Sequence, residues 1–331
     1  MPTTDTRAKA IIHWLSNTLN LNIVQFETAS SDASFRRYFR VIHTQGQHIV
    51  MDAPPEKENT EPFIRIATLL KSTGLNVPQI YQQDLSQGFL LLEDFGCYCF
   101  LDKLNDNNAT DLYLSAFKSL NQLQLNPVLS SNQLPHYNEA LLNRELSIFY
   151  DWFLQQHLKL SIPQAIKEQF DQVLITSALE QPQVHVHRDF HSRNLMFLAE
   201  NSPGIIDFQD AVIGPITYDL VSLLRDCYIS WPEENVLNWM TIYFKQITAL
   251  GLINTNIDTF TRWFDLMGLQ RHLKAIGIFS RLNLRDNKPG YLADIPRTLD
   301  YVRHICNKYP DLAIFNQFLL ESILPAYINK K

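Results

Sequence analysis

Between Val184 and Met196 the chain reads VHVHRDFHSRNLM, setting three histidines, two arginines, an aspartate and an asparagine among apolar residues. In an extended segment successive side chains point to opposite faces, so His185, His187 and Asp189 fall on one side and Val184 and Val186 on the other. Imidazoles and a carboxylate converging in this way are proper ligands for zinc or iron. They are equally a base and its supports.

HxHxD resembles the opening of the binuclear metal hydrolases, but those sites need a histidine directly after the aspartate. Here Phe190 takes that position, and His191, one residue further on, would point to the face opposite the one the motif needs. The order HRD, four residues, N, and then DF 13 residues after Asn194 is instead similar to the catalytic and metal-binding loops of protein-kinase-like phosphotransferases. Phosphoryl transfer needs an acceptor hydroxyl held in line, a carboxylate to take its proton, and divalent cations bridging the polyphosphate. Asp189, on a loop leaving a strand, suits the acceptor. Asn194 can return across the loop to a cation, and Asp207, ending a hairpin, can add a second hard oxygen of the kind magnesium prefers.

Those residues need a scaffold. Ala10, Ile11, Trp14, Leu15 and Leu19 have helical spacing, LNIVQFETA is extended, and SSDASF (30–35) is a polar turn. RRYFRVIHTQGQHIVMD alternates like a hairpin reversed at TQG. After Pro54-Pro55, EPFIRIATLLKSTG predicts a helix closed by Gly74, and VPQIYQQDLSQGFLLLEDFG two more strands. Beyond Asp111, helical periodicity covers 111–125, 138–158, 164–180, 217–229, 233–250, 258–287 and 297–323. Only VHVH (184–187) and a hairpin over 194–208, turning at ENSPG, interrupt it. The expected fold class is α+β, with an N-terminal antiparallel sheet lobe carrying one helix (1–96) and a larger, mainly helical lobe (97–331).

Composition excludes several classes. The chain is 46% apolar and 19% charged, a globular balance, and its formal net charge of −6 provides no field for polyanions, so no nucleic-acid partner is expected. Cys97, Cys99, Cys227 and Cys306 are too dispersed for a disulfide scaffold. No targeting segment and no run of 18 apolar residues is present, so we expect a cytoplasmic protein with no membrane association. No protein partner is implied. GxxxxGK[ST] is missing, so a P-loop does not supply nucleotide binding.

Taken together, SSDASFRRYFR, VMDAPPEKE, FLLLEDFG, VHRDFHSRNLM, GIIDFQDAVIGPITYDLVSLLRDCY and FDLMGLQRHLKAIGIFSRLNLRD resemble the aminoglycoside/choline phosphotransferase superfamily, small-molecule kinases on the two-lobed protein-kinase-like fold. Within it, the chain is most similar to bacterial anomeric kinases that use ATP and Mg2+ to phosphorylate C1 of N-acetylmuramate and N-acetylglucosamine in peptidoglycan recycling. The resemblance implies Asp189 as catalytic base and Asn194 and Asp207 as magnesium ligands. It makes His187, Arg188 and Asp219 structural supports. It assigns SSDASFRR to the phosphate-covering turn, with Ser31 and Ser34 as phosphate donors, and Glu93 to Phe95 to the adenine edge, with Val50 and Leu92 sandwiching the base.

Two positions depart from the pattern. Met51 and Asp52 stand where a strand lysine should pair with the phosphates, which turns attention to Arg36, Arg37 and Arg40; and DFQ replaces DFG at Gln209. The amino sugar is expected to meet Asp210 and Arg225. Two other readings remain: a kinase for another alcohol, such as an aminoglycoside or choline-like acceptor, and a non-catalytic nucleotide-binding pseudokinase.

Overall fold

The computed structural model describes residues 5–31, 35–125 and 134–330, apart from the side chains of residues 30 and 31. The chain divides into two compact units. One holds the chain through Lys103 together with Asn194–Asp210, the other Leu104–Arg193 together with the chain from Ala211 onward. The hairpin at 194–210 joins the first unit by backbone pairing. Ile205 N–H donates to Asn76 O at 2.7 Å and Phe197 N–H to Tyr98 O at 2.9 Å, contacts between segments too distant in sequence for local periodicity to reveal.

The first unit begins with α1 (Thr6–His13). Asp5 caps it, accepting from the N–H groups of Arg7 and Ala8 at 3.1 Å each, and the helix widens into a π-helical turn at Trp14–Thr18. Then follow β1 (Ile23–Ser31), β2 (Arg37–His43), β3 (Gly46–Asp52), α2 (Glu61–Ser72), β4 (Ile80–Asp84), β5 (Phe89–Glu93) and the single turn α3 (Phe100–Lys103). The strands form one antiparallel sheet in the order β1-β2-β3-β5-β4.

Register corrects one expectation. Val50 pairs with Leu91 and with Phe39, and all three pack with Val41 and Phe89 against Ile11, Trp14 and Leu15. Leu92, one residue along β5, points to the opposite face. Val50 and Leu92 therefore cannot enclose one adenine ring between them, and Val50 belongs to the apolar core.

The second unit contains α4 (Ala109–Gln124), α5 (Glu139–Ile148) and α6 (Gln164–Leu179), with a π-helical stretch extending α5 over Phe149–Leu158. β6 (Gln183–Val186) leads to the loop that carries Asp189. The pairs β7 (Leu195–Met196) and β8 (Gly204–Ile205) make the hairpin that joins the first unit. β9 (Val212–Pro215), a strand the sequence reading did not expect, pairs antiparallel with β6. Helices α7 (Tyr218–Leu224), α8 (Glu233–Ala249) and α9 (Ile257–Leu284) follow.

α9 is buried on nearly every side, as expected of a central helix. Gly277 lets it cross α5 closely, since a Cβ there would lie 2.5 Å from Ile148 O. The helix expected over 297–323 is α10 (Ile295–Lys308), a break at Pro310, then α11 (Ala313–Phe318) and α12 (Leu324–Ile328). No helix among the described residues is long and apolar enough to cross a membrane.

Candidate active site

In the second unit, β6 runs into the loop that carries Asp189. Asp219, in the first turn of α7 and fully buried, accepts the backbone N–H of His187 at 2.7 Å and that of Arg188 at 3.0 Å. These bonds hold Arg188 at φ 77°, a left-handed conformation that residues other than glycine seldom adopt. Burial pushes the Asp219 carboxyl up to about 7, against the two N–H donors. Asp189 N–H in turn donates to His187 Nδ1 at 3.2 Å.

Around Asp189 the charge is positive. The Arg188 guanidinium binds Glu145 of α5, and Lys274 Nζ of α9 reaches the same carboxylate at 2.9 Å. Tyr137 OH donates to Glu145 at 2.5 Å and Gln270 Nε2 at 3.1 Å. Burial alone would raise the Glu145 carboxyl, but Lys274 and Arg188 outweigh it and hold it at about 2. Burial likewise pushes Asp189 up, and Lys274, His191, Arg271 and His187 together bring it below its ordinary value. Asp189 is therefore ionised at neutral pH and ready to accept a proton.

In the first unit, the hairpin presents Asn194 and Asp207. Asn194 Nδ2 lies 3.3 Å from Asp207 Oδ2, and the Ile206 N–H donates to Asn194 O at 3.1 Å. Asp207 has φ 64°, again left-handed, with Gln209 Nε2 on its other oxygen at 2.8 Å. Phe208 is buried, its ring 5.0 Å from that of Phe63 in α2, so the DFQ turn is anchored beside the sheet unit's own helix. Gln209, with a side chain where the pattern has glycine, braces Asp207. One amide and one carboxylate on a single hairpin, with no thiolate or imidazole, form a hard-oxygen donor set that fits magnesium, which takes its remaining ligands from water and phosphates.

The three arginines of RRYFR, weighed as stand-ins for the missing lysine, all have carboxylate partners. Arg36 lies 3.3 Å from Glu58, Arg37 binds Asp5 and Asp52, and Arg40 grips Asp94 at 2.6 and 3.0 Å. Arg40 also donates to Gly96 O at 2.8 Å, so it ties β2 to the segment after β5. Met51 is fully buried in the position of the missing lysine. Glu93 N–H donates to Gln79 O at 2.9 Å, and its side chain accepts from Gln79 N–H at 3.1 Å. The ring of Phe95 packs where a Cβ on Gly204 would sit. Ser34 lies outside the described residues, and of Ser31 only the backbone, at the end of β1, is described.

Asp210 is exposed at the end of the first unit's hairpin. Arg225 is a correction. It is fully buried, bound to Glu233 at 2.7 Å and Asp265 at 3.0 Å, with its guanidinium over the Phe264 ring, so it has no face to offer a sugar. The residues that sequence reasoning missed are Glu145, Arg271 and Lys274. Their only signal was a charged residue interrupting a buried helical stretch, a signal that Arg225 shares.

Residues 25–247 match the model of the phosphotransferase enzyme family. Over 335 residues, 97% of this chain and 98% of the relative, the sequence is 42% identical to the N-acetylmuramate/N-acetylglucosamine kinase of Pseudomonas putida. Over 295 residues, 88% of this chain and 86% of the relative, it is 45% identical to the kinase of the same name from Pseudomonas aeruginosa. The choline kinase LicA from Streptococcus pneumoniae has a similar fold, with a TM-score of 0.65 at 11% identity, covering 90% of this chain and 99% of that one. The chain belongs to the phosphotransferase enzyme family, with its two-lobed protein-kinase-like fold.

Proposed function

We propose that the protein transfers the γ-phosphoryl group of ATP to the anomeric hydroxyl of N-acetylmuramate and N-acetylglucosamine, giving the sugar 1-phosphate and ADP in peptidoglycan recycling. The observation that carries this reading is 42–45% identity, along nearly the whole chain, to kinases of that name. Asp189 takes the proton of the C1 hydroxyl as that oxygen attacks the γ-phosphorus. An anomeric hydroxyl is more acidic than an ordinary alcohol, so a carboxylate held below its usual range still suffices. Positioning and charge neutralisation then supply most of the rate.

Asn194 and Asp207 would hold magnesium, which would supply positive charge to offset that of the polyphosphate. Asp219 fixes the loop through two N–H bonds, and His187 and Arg188 set its path. Arg36, next to the polar turn that includes Ser31 and Ser34, is the cation assigned to the polyphosphate, and the backbone from Glu93 to Phe95 is assigned to the adenine edge. Asp210 is assigned to a sugar hydroxyl. We place the reaction in the cytoplasm, where ATP is available and the four free cysteines remain reduced.

The charge around Asp189 bears on the acceptor. Lys274, Arg271 and Arg188 make its surroundings positive, whereas an aminoglycoside or choline-like cation asks for carboxylates. This favours a neutral or anionic acceptor. A pseudokinase would have no use for an ionised base on a braced loop. The test is ADP release, measured with N-acetylmuramate, N-acetylglucosamine, choline and kanamycin. The reading requires turnover with the amino sugars; turnover confined to a cationic acceptor, or none with any, rejects it.

A further inference from the structure

Three cations of the second unit contribute to the field at or near Asp189, and their partners differ. Arg188 and Lys274 both end on Glu145, and Lys274 also reaches Tyr218 OH at 3.2 Å. Arg271, three residues before Lys274 on α9, has no carboxylate at ion-pair distance among the described residues. Its contacts are Arg188 O at a long 3.5 Å and Tyr218, whose side chain hydrogen-bonds to it and whose ring centroid lies 4.9 Å from Cζ. Its Nε is buried without a hydrogen-bond partner.

A guanidinium carries five donors in a planar fork that fits a carboxylate two bonds at a time. Here the guanidinium lies over the ring of Tyr218, which is itself fully buried. A guanidinium with one orphaned buried nitrogen and no carboxylate at ion-pair distance among the described residues, on a partly exposed residue, is suited to an anion supplied from outside the chain. The two amino sugars differ in one anionic group, the carboxylate on the lactyl ether of N-acetylmuramate.

We propose that Arg271 is the residue that distinguishes these acceptors, binding the lactyl carboxylate of N-acetylmuramate beside the catalytic base. This rests on the kinase reading above. It gives Arg271 the sugar contact that the sequence reading expected of Arg225, which the core has closed off. An anion on the transferred phosphoryl group would call on Arg271 equally with either sugar, whereas the lactyl carboxylate calls on it with one.

The experiment is steady-state kinetics on the full chain with N-acetylmuramate, its methyl ester and N-acetylglucosamine, for wild type, Arg271→Gln and Arg271→Lys. Arg271→Gln is expected to raise KM for N-acetylmuramate by about tenfold or more, and KM for N-acetylglucosamine by less than about threefold. The wild type should lose a comparable factor when the carboxylate is esterified, and the glutamine variant should lose little more. Arg271→Lys, which keeps the charge and loses the fork, should fall between them, and it carries the test if the glutamine variant fails to fold. An equal fall with both sugars, no change in their ratio, or a full ester penalty persisting in the variant overturns the assignment. Wild type inactive on both sugars would instead reject the kinase reading.

Discussion

Replacing Asp219 by asparagine separates what this buried carboxyl costs from what it contributes. Its folded value of about 7 stands above the ordinary 3.8. Between those two values the folded chain holds a proton that the unfolded chain has released. Stability from this group is therefore complete below pH 3.8, declines as pH rises, and is fully lost above about 7. At about 1.4 kcal/mol per pH unit the whole interval is worth roughly 4 kcal/mol, of which the part from pH 5 to 7 is roughly 3 kcal/mol. Asparagine does not titrate. The melting temperature of Asp219→Asn relative to wild type should thus rise between pH 5 and pH 8, by roughly 5–10 °C for a unit of this size.

Catalysis should move the other way. The amide offers one acceptor oxygen and an NH2 to two N–H groups, leaving one donor unpaired at roughly 1–3 kcal/mol and loosening the left-handed turn at Arg188. We expect kcat to drop about 10- to 100-fold with little change in KM for ATP. Melting curves from pH 5 to 8 and initial rates at pH 7.5 decide it. A stability difference that is flat with pH, or that moves in favour of wild type, refutes the electrostatic reasoning, and undiminished kcat refutes the bracing role.

Glu145→Gln leaves Lys274 and Arg188 facing a neutral group in a buried setting, for an expected loss of roughly 3–5 kcal/mol by denaturant titration. Because its carboxyl is held at about 2, that contribution is present above its ordinary 4.5 and fades as pH falls toward about 2, so the gap between variant and wild type should narrow in acid; a constant gap counts against the ion-pair account. Gly204→Ala puts a Cβ 2.6 Å from the Phe95 ring. We expect destabilisation of roughly 1–3 kcal/mol and a raised KM for ATP, and an unchanged KM would remove Phe95 from the nucleotide site.

Much of the scaffold was legible because local periodicity reports local structure. The β2–β3 hairpin, α2 ending before Gly74, and the helices from α4 to α9 follow from apolar spacing and their punctuating glycines and prolines. β9 was hidden because VIGP ends in a turn signal and pairs with β6 only in three dimensions. The hairpin at 194–210 reads as part of the helical half by position, yet Asn76 and Tyr98 hold it in the first unit.

The order of Asp189, Asn194 and Asp207 was visible as spacing, whereas Asp219, which braces the loop, was visible only through the family resemblance. Their electrostatic surroundings were not. Glu145 meets Lys274 across 129 positions, and nothing in the spacing tells a core arginine such as Arg225, ion-paired to Glu233 and Asp265, from Arg271, which has no ion pair among the described residues. Val50 and Leu92 look equivalent in a row of apolar residues until pairing places them on opposite faces.

The central claim is that Asp189 takes the proton from the C1 hydroxyl as phosphate is transferred to it. Its most direct measurement is single-turnover reaction of ATP and N-acetylmuramate on wild type and Asp189→Ala, with the product read by phosphorus NMR. The account predicts phosphate on C1 from wild type, and a variant that binds ATP with similar Kd but forms the product about 100- to 10,000-fold more slowly. Phosphate on any other oxygen, or a variant that reacts at close to the wild-type rate, contradicts it.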